Sequence, residues 1–160
     1  QTRSKDNLVE IVKDDDIKGA LNQGITLLIN SKATKDLLTG DDLDRFTDEK
    51  SKKVQLHHIF PRQWCRDNAG RHTIIGELGE NNYANLIPLT ASSNNNWKSK
   101  SPATAIRDFK IDFTSRSDIF EKGYIRSDDF AKLQNDEIKG FWESRAEAIA
   151  DDLFKAQYVS

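Results

Sequence analysis

Methionine is absent from this 160-residue chain, cysteine occurs once, and proline and histidine occur three times each. The lone Cys65 has no partner for an internal disulfide, which suits a reducing cytoplasm and excludes zinc sites built from several cysteines. Long apolar runs are missing, so no segment is expected to span a membrane, and the N-terminus shows no secretory signal. Charge of either sign is nearly balanced. A net charge of −2 argues against a protein that coats nucleic acid non-specifically. There is no glycine-rich phosphate-binding loop, no internal repeat and no low-complexity tract. A chain that starts at Gln1 and holds no methionine is expected to be a piece of a longer protein.

What is present fits one soluble domain. Hydrophobic residues make up 36% and charged residues 31%, enough for a single core. Leu8, Ile11 and Val12 suggest a first helical turn or two. Asp14–Asp16 suit a helix start, and Ile17, Leu21, Ile25 and Leu28 follow at helical spacing to about residue 30. Thr39–Asp42 reads as a turn, 41–52 as a charged loop and 53–57 as a strand. Pro61 opens a short helix to about Arg66, and 67–84 looks irregular. Leu86–Leu89 is a second strand, which Pro88 assigns to a sheet edge. Thr90 caps a polar helix over 91–99, and Ser101 caps another near 103–109 with Pro102 at its first position. Further helices are expected near 128–134 and 136–157. Ile138, Trp142, Ile149 and Leu153 form the apolar stripe of the last, and Arg145 on that stripe is expected to snorkel or to pair with a carboxylate.

Two of the three histidines, His57 and His58, are adjacent at the end of the first strand. Neighbouring strand residues point to opposite sides, so such a pair can divide labour. A pair of strand-end histidines taken alone reads as ordinary hydrogen-bonding surface. The two strands and the polar helix together form a β-hairpin with a long connection followed by a helix, and that arrangement gathers His57, His58, Asn85 and Asn94. His72 reads as a surface residue, Cys65 as buried packing, and Trp97 as a brace for its helix.

These residues resemble a known family. His57-His-Ile-Phe-Pro61, Asn85-Leu-Ile-Pro-Leu-Thr-Ala-Ser-Ser-Asn94 and Lys98-Ser-Lys-Ser-Pro102 are similar to motifs of the HNH (ββα-metal, or His-Me finger) endonucleases. Within these the chain most resembles the C-terminal nuclease domain of GmrSD-like modification-dependent restriction proteins, which destroy marked phage DNA. Lys35-Asp-Leu-Leu-Thr-Gly40 also looks like the segment that precedes the histidines there. The resemblance implies an α+β fold, predominantly α, with a ββα-metal core over about 53–100. That core would be wrapped by an N-terminal helical part, about 8–40, and by C-terminal helices over about 101–157. It implies His57 and Asn94 as metal ligands and His58 as the general base. Asn85 would fasten the connecting loop, and Lys100 would neutralise phosphate charge. The implied partners are DNA and an N-terminal nucleotide-hydrolysing or modification-sensing domain of the same protein.

The chemistry is coherent without the family. A phosphodiester is shielded by negative oxygens and has a poor alkoxide leaving group, and a divalent cation answers both problems. A histidine near its pKa can take a proton from water. An imidazole with an amide oxygen suits Mg²⁺ or Mn²⁺, with Ni²⁺ or Zn²⁺ as alternatives. Leu56 stands where many relatives carry an aspartate, so weaker metal affinity is expected, and Ser99 replaces an expected asparagine. Asn96 is the fallback for Asn94. The competing readings are a non-catalytic module that grips nucleic acid or protein, and an RNase.

Overall fold

A computed structural model describes residues 2–159. Two short helices open the chain, α1 (Lys5–Val12) and α2 (Gly19–Lys32). Strand β1 (Val54–His58) follows, then α3 (Arg62–Asn68) and α4 (Thr73–Leu78). Strand β2 (Leu86–Thr90) runs directly into α5 (Ala91–Trp97). The C-terminal part is helical: α6 (Pro102–Asp108), α7 (Ser117–Lys122), α8 (Ser127–Gln134) and α9 (Ile138–Ala156). The fold is α+β and mostly helical, with one antiparallel two-stranded sheet. No helix among the described residues is long and apolar enough to cross a membrane.

The register pairs His57 with Ile87 and His58 with Leu86. Side chains alternate across a strand, so the sheet has two distinct faces. Gln55, His57, Ile87 and Leu89 share one; Leu56, His58, Leu86 and Pro88 share the other. Bonds from Ile59 N to Asn85 O (2.8 Å) and from Ala91 N to Lys53 O (2.8 Å) continue the ladder past both ends. Pro88 has no N–H to donate, and in a two-stranded sheet every strand has a free edge to accommodate it.

The core gathers on α9, where Phe141, Trp142, Ala146, Ile149 and Ala150 are fully enclosed. Phe60, two residues beyond the histidine pair, meets Trp142 edge-on with ring centroids 6.4 Å apart. Burying such a ring contributes about 2–3 kcal/mol and anchors the end of β1 to the helical layer. Phe113, Phe120 and Phe130 form a second aromatic group joining α7 and α8.

Three expectations are corrected. Asp14–Asp16 do not begin α2: Asp14 Oδ1 instead accepts from Asp16 N in a turn, and the helix starts at Gly19. The segment 67–84 holds α4, and α7 lies in a stretch with no periodic signal long enough to read. Arg145 neither snorkels nor meets a carboxylate. Completely buried, it donates to the carbonyls of Gly123 (3.0 Å), Tyr83 (3.1 Å) and Ala84 (2.9 Å), tying α9 to the segment that enters β2. Burial pushes its pKa down to about 9, against the opposing pull of Tyr124 and Asp129.

Candidate active site

Thr90 ends β2 and caps α5, its hydroxyl accepting from Ser93 N at 3.1 Å. A buried carboxylate reinforces that start. Asp36 accepts from Thr90 N (2.9 Å), Ser93 Oγ (2.9 Å), Leu38 N (2.8 Å) and Thr39 N (3.1 Å). One side chain thus straps the Asp36–Gly40 turn to the first turn of the helix. Asn94, one residue later, is aimed back at the sheet.

There Asn94 Oδ1 lies 2.7 Å from His57 Nδ1. The amide nitrogen of Asn94 donates to Gln55 Oε1 at 3.1 Å, which turns its oxygen toward the imidazole. Nδ1 therefore carries the proton, and the lone pair of Nε2 is buried without a partner. Trp97 closes the other side, its ring centroid 4.4 Å from that of His57, with its indole N–H bonded to Lys100 O at 2.9 Å. His57 is 2% exposed. Burial is the main reason that its pKa falls from 6.5 to about 4; His58 adds to the drop, while Asn94 and Asp36 oppose it. The ring is neutral at pH 7.

His58 lies on the opposite face, half-buried. It lines a cleft of about 390 Å³ with Leu56, Asn81, Tyr83, Asn22 and Asp15. Its Nε2 sits 2.7 Å from Asn81 Oδ1. The adjacent histidines are therefore unequal in partner, burial and face.

Asn85 joins the halves from below, fully buried. Its oxygen accepts from Phe60 N (2.8 Å) and Trp142 Nε1 (3.1 Å), while its amide nitrogen donates to Phe60 O (3.0 Å) and Glu80 O (2.8 Å). All four hydrogen-bonding positions of the amide are used. The long connection between the strands is fastened at its first and its last turn.

The structure brings together His57 with Asn94, and His58 with a loop that Asn85 holds. It ties Lys100 to neither: that ammonium stands over the Phe109 ring, 5.8 Å from its centroid. Asn96 is exposed and does not share the position of Asn94. Leu56 projects to the His58 face, so a carboxylate at 56 would not lie beside His57 and Asn94. His72 stacks on Trp64 with centroids 5.8 Å apart, and buried Cys65 has its thiol pKa pushed up to about 12 by burial and by Glu80. Neither joins the site.

Asp36, Gln55 and Asn81 were not singled out by sequence. Asp36 stood in the quoted Lys35–Gly40 run, where an aspartate before Leu-Leu-Thr-Gly has the composition of a side-chain-capped turn. Asn81 left no signal, because its partner is 23 positions away.

The donors suit a hard or borderline divalent ion. Ligation by His57 Nδ1 beside Asn94 Oδ1, 2.7 Å away, would need the ring as its Nε2–H tautomer in place of the Nδ1–H form that the Asn94 contact sets here. No group of three or more His, Cys, Asp or Glu converges among the described residues, so only these two side chains would hold the ion. Metal-bound histidines usually donate their second N–H to an acceptor; His57 Nε2 has none among the described residues. Weak binding is the expected consequence. The chain matches no protein-family model, no curated protein and no solved structure.

Proposed function

We propose that this chain is a metal-dependent DNA endonuclease of the HNH type, serving as the cutting domain of a restriction or anti-phage protein. The observation that carries the reading is the hairpin-and-helix unit β1–β2–α5. It sets a neutral imidazole and an amide oxygen 2.7 Å apart beside a second histidine with an orienting partner. His57 and Asn94 would hold Mg²⁺ or Mn²⁺, and the low pKa of His57 keeps the ring neutral at pH 7, as ligation requires. When bound, the ion supplies charge neutralisation at the phosphate and stabilisation of the departing alkoxide.

His58 then takes the proton from the attacking water. The hydroxide oxygen bonds to phosphorus as the bond to the 3′ oxygen breaks, and the departing 3′ alkoxide takes a proton from solvent water, leaving a 5′-phosphate and a 3′-hydroxyl. Asn85 contributes by fixing Phe60, and with it the backbone that carries His58. Lys100 keeps the role of a phosphate cation, for which its ammonium must leave the Phe109 ring. Exposed Lys50, Lys52, Lys53, Arg62, Arg66 and Arg71 flank β1 in sequence and suit a polyanion. Arg62 and Arg66 are one helical turn apart on α3, immediately after the histidines.

A plasmid nicking assay across Mg²⁺, Mn²⁺, Ni²⁺ and Zn²⁺, with His58→Ala as control, tests the reading. Nicking that needs a metal and His58 is expected, and cleavage that persists in EDTA would sink it. The competing reading is a module that grips nucleic acid or protein without cutting. It draws support from the unpartnered His57 Nε2 and from the lack of any cluster of three or more His, Cys, Asp or Glu among the described residues, and inactivity with every metal favours it.

A further inference from the structure

We propose that Asn81 is the positioning residue of His58: it holds the ring as the Nε2–H tautomer and leaves Nδ1 as the basic atom. The inference rests on the nuclease reading and names the group through which the buried Asn85 acts on the base. A neutral imidazole has one donor and one acceptor nitrogen, and the bond made by one assigns the other. His58 Nε2 lies 2.7 Å from Asn81 Oδ1. The Arg62 guanidinium, which has only donors, approaches that same atom at 3.5 Å, consistent with an oxygen there. A carbonyl oxygen only accepts, so the proton sits on Nε2 and the free lone pair on Nδ1.

Both ends of this contact are fixed by one amide. Asn85 holds both backbone groups of Phe60, two residues after His58, and the carbonyl of Glu80, the residue before Asn81. The turn into Asn81 begins at Gly79, whose φ of +82° is strained for any residue with a side chain. Its neighbour Asn82 performs the local structural task, donating to Gly79 O (2.7 Å) and accepting from Ala84 N (3.0 Å). The exposed Asn81 side chain takes no part in that turn. Its bonds run to His58 and Arg62.

The test uses the full ¹⁵N-labelled chain, free of metal. Long-range ¹H–¹⁵N correlation spectra of the imidazole distinguish the two tautomers, and nicking kinetics are measured on the same preparations. Wild type should show His58 as Nε2–H alone. Asn81→Leu, similar in shape without the acceptor, should give a mixture of tautomers and lower kcat about 10-fold, the scale of one hydrogen bond, with KM for DNA unchanged. Asn81→Asp keeps the acceptor and should restore the tautomer and most of the rate. An unchanged tautomer in a folded Asn81→Leu protein overturns the inference, whatever the chain does to DNA. An Asn81-dependent tautomer in a chain that cuts no DNA with any metal leaves the positioning role standing and removes the nuclease reading.

Discussion

Asn85 bonds both the N–H and the C=O of Phe60, and so holds the chain just past His58 by two hydrogen bonds from a single buried amide. The same side chain reaches Trp142 on α9 and Glu80 on the connecting loop. The polar centre of the candidate site is therefore also a structural joint.

Removing that joint should show as stability before it shows as rate. Asn85→Ala leaves two donors and two carbonyl oxygens without their partner in a buried setting, at a cost of about 3–5 kcal/mol. Asn85→Asp should be comparably damaging, because a carboxylate cannot donate to the Phe60 and Glu80 carbonyls. Urea unfolding followed by tryptophan fluorescence measures both.

His58→Ala should behave in the opposite way. The ring is only half-buried in an open cleft, so its loss should move the unfolding midpoint little. Loss of a general base should slow nicking roughly 10²–10⁴-fold. Wild-type nicking by this variant in Mg²⁺ or Mn²⁺ would remove His58 from the mechanism.

The buried His57 makes acid stability predictable. Its pKa in the folded chain is about 4, below the ordinary 6.5, so between those values the unfolded chain binds the extra proton. The contribution is fully present above about pH 6.5, falls as pH drops toward 4, and changes no further below that. The interval corresponds to at most about 3 kcal/mol. Urea unfolding in EDTA between pH 4 and 7 should show this slope in wild type and a flatter one in His57→Gln.

Metal dependence should separate the ligand from the base. Asn94→Ala removes one of two donors and should raise the Mn²⁺ concentration for half-maximal nicking by about 10–100-fold, the scale seen when groups supporting a metal are lost. His58→Ala should lower the maximal rate and leave that concentration unchanged. A metal titration of nicking rate for the two variants distinguishes the patterns.

Arg145 should matter for folding alone. Arg145→Met leaves the carbonyls of Tyr83, Ala84 and Gly123 unpaired and should cost about 3–5 kcal/mol. Thermal unfolding measures it.

The alternation of apolar residues, the turn residues and the caps at Thr90 and Ser101 determined most elements, because these are local effects decided within a few residues. The order strand, strand, helix was legible for that reason, while the pairing of His57 with Asn94 was implied by the family resemblance and not by any local pattern. Short helices such as α4 and α7 were not legible, since six residues cannot show a 3.6-residue period. Only the tertiary structure decided that Arg145 would face carbonyls, because burial of α9 removes the water that a snorkelling guanidinium needs. It alone decided which face of β1 each histidine occupies among its neighbours, strapped Asp36 to the start of α5, and set Asn81 against His58. Those contacts join positions 23 to 57 residues apart, and packing creates them where no local pattern does.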